Sequence, residues 1–262
     1  MRAGRRLVAK WDAGEPAFGL WAGIGSSLTA ELAADAGYDY VCVDQEHGMS
    51  DERAMVSIFQ ATVASGSTPL VRLAWNEPWM IMRALDLGAA GVIVPLVGSG
   101  AEALRAVQAC KYPPHGNRSY GPVRAALAVG SLAPAELAES VLCFVMVETR
   151  DGLDRVEEIA ATPGLDGIYI GPSDLSLALG KTPGQGGEAL EDAITRVREA
   201  CEAHDVIAGM HCGSGVAAHA RAAEGFKLIT VGVDTSLFRA TISRELANAR
   251  ASAAAPAAAS PL

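Results

Sequence analysis

The sequence predicts one (β/α)8 TIM barrel in the α/β class, and three observations carry that reading. Eight short apolar, β-branched runs alternate with amphipathic stretches of helical period, as parallel strands buried on both faces and joined by helices would. The chain has 262 residues, a length at which an α/β barrel is commonly one domain. Half of its residues (50%) are hydrophobic, enough to bury a large core. An open doubly wound sheet is the alternative that the same alternation allows.

The first 16 residues, MRAGRRLVAKWDAGEP, read as an N-terminal helix or arm. Early arginines without an apolar core segment argue against a secretory signal. The barrel is expected over residues 17–250. Its strands are expected at 17–23, 39–44, 69–73, 91–96, 142–148, 166–171, 206–211 and 228–234, each a run rich in Val, Ile, Leu or aromatic residues. The stretches between them include SSLTAELAADAG, EPWMIMRALDLGAAG, GAEALRAVQACKY, RDGLDRVEEIAATPG and ALEDAITRVREACEAHD, with glycines near several ends as helix stops. Residues 251–262, ASAAAPAAASPL, are low in complexity and read as a disordered tail.

A net charge of −9 with no basic run gives no footprint for nucleic acid or an anionic membrane surface. No uninterrupted apolar stretch reaches the roughly 18 residues of a membrane span. Cys42, Cys110, Cys143, Cys201 and Cys212 are scattered and form no C-x-x-C pair. Reduced thiols in a cytoplasmic protein are expected, and no structural zinc site.

In such a barrel the reactive groups belong at the C-terminal ends of the strands. The polar residues there are His47, Arg72, Glu148, Asp174, His211 and Asp234. Glu148 and Asp174 each close an apolar run, and two carboxylates held at neighbouring strand ends repel unless a cation lies between them. A hard divalent ion that keeps several waters suits one or two carboxylates. Histidine is the side chain suited to general-base work near neutral pH, which makes His47 the candidate base. Arg72 supplies a fixed positive charge where an oxyanion would form. In Gly171-Pro172-Ser173-Asp174, the N–H groups of Ser173 and Asp174 are placed to grip a carboxylate at a helix start. The lysines Lys10, Lys111, Lys181 and Lys227 fall at no strand C-terminus, which counts against Schiff-base chemistry.

Five segments, in order over about residues 17–240, resemble the HpcH/HpaI family of metal-dependent pyruvate aldolases. They are GYDYVCVDQEHG, VRLAWNEPWMIMRALDLGAAGVIVPLV, KYPPHGNRSYG, VETRDGLDRVEEIAATPGLDGIYIGPSDLSLALG and ITVGVDTSLFR. The resemblance implies reversible aldol cleavage of a 4-hydroxy-2-oxo acid to pyruvate, or a related 2-oxo acid, and an aldehyde. It implies Mg²⁺, Mn²⁺ or Co²⁺ on Glu148 and Asp174, and His47 as a base oriented by Asp44. Arg72 would face the oxo group, Trp21 would line the site, and Asp86 would reach the site of a neighbouring subunit. It further implies a homohexamer, a dimer of trimers that exchange C-terminal helices.

Two positions depart from the family pattern. Met146 stands where many members carry Gln, and His211 and Cys212 stand where small or apolar residues are expected. His211 is thereby a candidate contact for the distal part of the substrate.

Bland readings remain beside each functional one. Glu148 and Asp174 would serve structure if paired with Arg150 or Arg118, Arg72 if paired with Asp44 or Glu46, and His47 if satisfied by backbone. Asp86 and Trp21 suit packing, and Asp234 a helix cap. Arg118 and Tyr120 suit either a loop over the substrate's far end or an oligomer face. Gly213 and Gly215 match a phosphate nest only weakly. At the level of function, the alternatives are a CoA-ester lyase of the citrate-lyase β-subunit type and a non-catalytic barrel that binds an oxo acid.

Overall fold

The apolar runs become eight strands: β1 Ala17–Ala22, β2 Tyr40–Asp44, β3 Thr68–Arg72, β4 Gly91–Val94, β5 Leu142–Val147, β6 Gly167–Ile170, β7 Ile207–Cys212 and β8 Leu228–Val233. Each pairs in parallel with the next, and β1 pairs with β8, so the sheet closes. The computed structural model describes residues 3–254. The helices in chain order are α1 Ala3–Asp12, α2 Ser27–Asp35, α3 Glu52–Ala64, α4 Pro78–Asp86, α5 Gly100–Cys110, α6 Val123–Val129, α7 Pro134–Glu139, α8 Arg150–Asp154, α9 Val156–Ala160, α10 Pro172–Ala178, α11 Gly187–Ala203, α12 Gly215–Ala223 and α13 Asp234–Ala254. The open doubly wound alternative is excluded by the closed strand order.

Strand bounds fall within a residue or two of those expected from the sequence. The fourth differs most: β4 stops at Val94, short of the expected Leu96. Leu96 has φ 55°, a left-handed conformation that ends a strand. The expected tail starts inside a helix, because α13 continues to Ala254; positions 255–262 lie outside the described residues.

Side chains alternate across each strand, and that alternation sorts them into two cores. Outward residues such as Val41, Val43, Val71, Val145 and Ile168 pack under the helices. Inward residues Tyr40, Cys42, Leu70, Phe144, Met146 and Tyr169 fill the barrel. The same phase carried to the C-terminal rim gives Trp21, Asp44, Arg72, Glu148 and His211. The barrel interior thus leads directly into the polar mouth.

Bulky rings fill the interior because small residues face them. A Cβ added at Gly19 would lie 2.1 Å from the Tyr40 ring, a distance no side chain tolerates. Deeper still, the Thr230 hydroxyl joins those of Tyr40 at 2.9 Å and Tyr169 at 2.6 Å, so these buried phenols are satisfied.

The N-terminal segment closes the other end. Leu7 of α1 is buried in the interior cluster, and Trp11 packs edge-on against Phe144 with centroids 6.0 Å apart. The Trp11 indole N–H donates to the carbonyl of Lys227 at 3.0 Å. Leu7→Ala is therefore expected to cost about 2–5 kcal/mol of stability, read as a lower urea midpoint at unchanged slope, while activity well below the melting temperature persists.

Candidate active site

The rim residues are built outward from the strand ends. Asp44 and Arg72 end β2 and β3 and are direct register partners. The guanidinium fork donates from Nε to Asp44 Oδ1 at 2.9 Å and from Nη2 to Oδ2 at 2.7 Å. Its remaining arm, Nη1, pairs with Glu46 Oε2 at 2.9 Å. Burial opposes ionisation of Asp44, yet the Arg72 hydrogen bonds and charge hold its carboxyl below the usual carboxylate range.

Asp44 was expected to orient the His47 imidazole. In the structure both of its oxygens are taken by the fork, and Oδ1 accepts besides from the backbone N–H groups of Glu46 at 3.0 Å and His47 at 3.2 Å. Asp44 thus sets the turn that carries His47, acting on the main chain rather than on the ring.

Glu148 continues the inward phase of β5 and is 2% exposed. Thr149 caps the start of α8, accepting from the Gly152 N–H at 3.0 Å, which ends the strand at that point. Glu148 Oε1 accepts from the Leu96 N–H at 2.9 Å. This bond explains the left-handed Leu96, a conformation that costs a non-glycine residue about 1–2 kcal/mol. Glu148 Oε2 lies over Gly171, where an added Cβ would approach it to 2.2 Å. Burial, followed by repulsion from Glu46 and Asp174, pushes the Glu148 carboxyl up to about 7, against the Leu96 hydrogen bond and the Arg72 charge. Glu46 is likewise raised, by burial first, despite Arg72. Asp174 is in the first turn of α10, after Pro172 at its start.

Asp44, Glu46, Glu148 and Asp174 therefore converge with Arg72 as their nearby guanidinium. No group of three or more His, Cys, Asp or Glu side chains able to hold a metal occurs among the described residues. Glu148 and Asp174 offer the oxygen donors that would suit a hard divalent ion completing its shell with water and substrate oxygens. Neither acid pairs with Arg150 or Arg118 among the described ion pairs.

Trp21, Asp44, His47, Arg72, Glu148, Ser173, Asp174 and His211 all line one cavity of about 350 Å³. Trp21 stacks on Tyr169 with centroids 5.4 Å apart, meets His211 edge-on at 5.5 Å, and carries the Arg72 guanidinium 5.2 Å above its ring. Burial, then the charge of Arg72, lowers the His211 pKa to about 4, against Asp44. Met146 forms part of the wall.

Asp86 is not brought to this cavity. It ends α4 and pairs with Arg118 at 2.8 Å; Arg118 lines a separate pocket with Gly4, Arg6 and Gly88, near the N-terminal ends of the strands. Arg118 is consequently no lid over the substrate, and Tyr120 spends its hydroxyl on the Leu132 carbonyl. Asp234 does more than cap α13: Oδ1 accepts from Gly23 N–H at 2.9 Å and Thr235 N–H at 2.7 Å, locking β8 to the loop after β1. The Gly213–Gly215 turn is a serine cap, with Ser214 accepting from Ala217, and not a phosphate nest. None of the lysines lines the cavity that Glu148 and Asp174 share.

The sequence reading missed Gly23, Met49, Tyr169, Val233 and Thr235 as cavity residues. Tyr169 was legible in principle, being two residues before Gly171 on the inward phase. Met49 lies in a loop and Thr235 in the first turn of α13, where strand alternation gives no signal.

Gly171→Ala is expected to displace Glu148 and lower kcat/KM by at least about 100-fold, since a shift of about 1 Å in a positioning group costs this much. Circular dichroism should show the barrel retained. A second expectation concerns His211. Its folded pKa lies below the ordinary 6.5, so the unfolded chain binds the extra proton between about pH 6.5 and 4 and stability falls as pH drops through that window. The side chain is only partly buried, so water screens part of the effect. His211→Asn should flatten this limb by about 2 kcal/mol at pH 4, seen in urea melts across pH.

The comparisons with known proteins agree with this geometry. The family model described as HpcH/HpaI aldolase/citrate lyase matches residues 17–241. A hydroxypyruvate/pyruvate aldolase of Rhizorhabdus wittichii is 39% identical over 92% of this chain and 97% of its own. A 4-hydroxy-2-oxo-heptane-1,7-dioate aldolase of Klebsiella pneumoniae is 36% identical over 86% of each chain. Among solved structures, an HpcH/HpaI aldolase/citrate lyase family protein from Burkholderia cenocepacia superposes with a TM-score of 0.86 at 34% identity, covering 94% of this chain and 98% of that one. Members of this family are generally dependent on a divalent metal. A closed parallel barrel, a carboxylate-rich mouth and matches over nearly the whole length lead to one conclusion: this chain belongs to the HpcH/HpaI aldolase/citrate lyase family.

Proposed function

We propose that this protein is a carbon–carbon lyase that reversibly cleaves a 4-hydroxy-2-oxo acid to pyruvate, or a related 2-oxo acid, and an aldehyde, using Mg²⁺, Mn²⁺ or Co²⁺. The observation that carries this reading is Glu148, buried at 2% exposure beside Asp174 on one cavity, with burial and then the neighbouring acids raising its pKa. Relatives that cover most of the chain bear pyruvate aldolase names, which supports the reaction class.

Glu148 and Asp174 would hold the ion. Bound there, a divalent cation supplies Lewis-acid stabilisation of negative charge on the oxo oxygen. The remaining roles fall to the chain's own groups. In the cleavage direction His47 accepts the 4-hydroxyl proton, directly or through water. The bond between C3 and C4 then breaks, its electron pair passes into the enolate of the oxo acid, and the aldehyde departs. Protonation at C3 completes pyruvate. Arg72, fixed by Asp44 and Glu46, presents positive charge to the developing oxyanion at no cost in reorganisation, a contribution of about 3–4 kcal/mol. The N–H groups of Ser173 and Asp174 fall in the first turn of α10, where no intrahelical acceptor exists, and serve the pyruvyl carboxylate. Trp21 forms the apolar wall.

A homohexamer with exchanged C-terminal helices is supported by the exposed apolar side chains Leu237, Phe238, Ile242 and Leu246 along α13. Asp86 would act only across such an interface. Five free, buried cysteines suit a reducing cytoplasm.

Carbon–carbon bond formation from pyruvate and an aldehyde panel is expected to fall at least about 100-fold with EDTA and to return with added Mg²⁺, Mn²⁺ or Co²⁺. Product formation indifferent to chelation would remove the reading. Turnover confined to CoA esters would favour the citrate-lyase type instead. His47→Asn should lower kcat by about 100- to 10,000-fold while metal affinity, read by calorimetry, stays within about threefold.

A further inference from the structure

The charge inventory of the cavity bears on the aldehyde half of the substrate. Asp44, Glu148 and Asp174 line the cavity, and Arg72 is its guanidinium. Three carboxylates and one guanidinium leave a formal −2, which a divalent cation brings to zero and a 2-oxo carboxylate returns to −1. Arg72 is already engaged on three arms by Asp44 and Glu46. Beyond it, the described residues of the cavity offer no lysine and no second arginine. A second carboxylate on the substrate would meet acids without a cation to answer them.

The remaining lining carries no further charge of either sign near His211: His211 meets the Trp21 ring edge-on, so its imidazole is held in place, and the Thr235 hydroxyl, Val233 and Met49 line the same cavity. A neutral imidazole offers one donor and one acceptor, the pair that a hydroxyl group satisfies. Burial and the Arg72 charge keep His211 unprotonated at neutral pH.

We propose that the aldehyde accepted and released by this site is short, uncharged and hydroxylated, with His211 as its specificity-determining contact, and that aldehydes bearing a second carboxylate are disfavoured. This rests on the aldolase reading above and narrows it. It separates this chain from a dioate substrate such as the one in the Klebsiella relative's name. The discrimination has a physical source on each side. Like charges brought together without compensation reduce binding strongly, and a site built to bond a hydroxyl loses affinity for an analogue that leaves its polar atom unpaired.

The test uses the full-length, Mn²⁺-loaded protein and two separate readouts. Exchange of the pyruvate methyl protons in D₂O, with no aldehyde present, reports the aldolase reading alone; its absence overturns that reading and, with it, this proposal. With exchange established, kcat/KM for bond formation from pyruvate is compared among glycolaldehyde, acetaldehyde and succinic semialdehyde. Glycolaldehyde should exceed succinic semialdehyde by at least about tenfold, and exceed acetaldehyde as well. His211→Arg should shift the ratio toward succinic semialdehyde by at least about tenfold; His211→Lys is the second variant should the first not fold. Succinic semialdehyde equal to or better than glycolaldehyde in the wild type overturns the proposal. So does a ratio that neither cationic variant moves. Acetaldehyde matching glycolaldehyde would strike out the hydroxyl contact.

Discussion

One guanidinium holds the mouth of this barrel together. Arg72 bridges two adjacent strand ends through Asp44 and reaches Glu46 in the loop beyond. A buried ion pair of this kind contributes little net stability, because desolvation offsets most of the attraction, but removing one partner leaves an uncompensated charge. Its value is geometric. The fork fixes two strand ends in register, Asp44 then accepts from the backbone of the turn that carries His47, and the guanidinium sits over the Trp21 ring. Trp21, Asp44, Glu46 and the turn that carries His47 are all tied to one planar group. Lysine has no such fork and could not hold them.

The side-chain alternation of the strands explains why so much of the site was legible without a structure. Arg72 and Glu148 are anomalies in apolar runs, and each lies an even number of residues from the inward-facing Leu70 and Phe144. Counting by two places them in the lumen. The same rule covers His211 and Trp21. It fails where the chain leaves the strands. That Asp44 holds His47 by its backbone, or that Leu96 turns left-handed to reach Glu148, depends on loop geometry that carries no period. Asp86 shows the other limit. Motif resemblance assigns it to the site of a neighbouring subunit, which no period within one chain can show; within this chain it ends α4 and pairs with Arg118.

Glycines and aromatic rings supply the rigidity behind the mouth. Gly19 makes room for the Tyr40 ring and Gly171 for the Glu148 carboxylate. The first contact packs the interior and the second positions an acid, yet the steric principle is the same: a missing Cβ admits a group that the backbone must approach closely. The Tyr40–Thr230–Tyr169 hydroxyls tie the rings below Trp21 into a fixed floor. The polar rim thus stands on a packed and hydrogen-bonded base, which is what preorganised chemistry requires.

Stability and function meet at Glu148. A carboxyl raised to about 7 by burial and neighbouring acids is a group the fold holds against its own preference. Releasing its proton near neutrality adds a charge to a mouth already rich in carboxylates, so their mutual repulsion grows as pH rises toward that value. A cation placed between Glu148 and Asp174 reverses the sign of that interaction: the same burial that penalises an isolated carboxylate strengthens its attraction to a metal. The left-handed Leu96 and the bare backbone at Gly171 hold the carboxylate in place at the cost of local strain and lost packing. Such features persist where surrounding structure overrides local preference, as at functional sites. The excess of negative charge at Glu148 and Asp174 is thus the feature on which the proposed cation site rests.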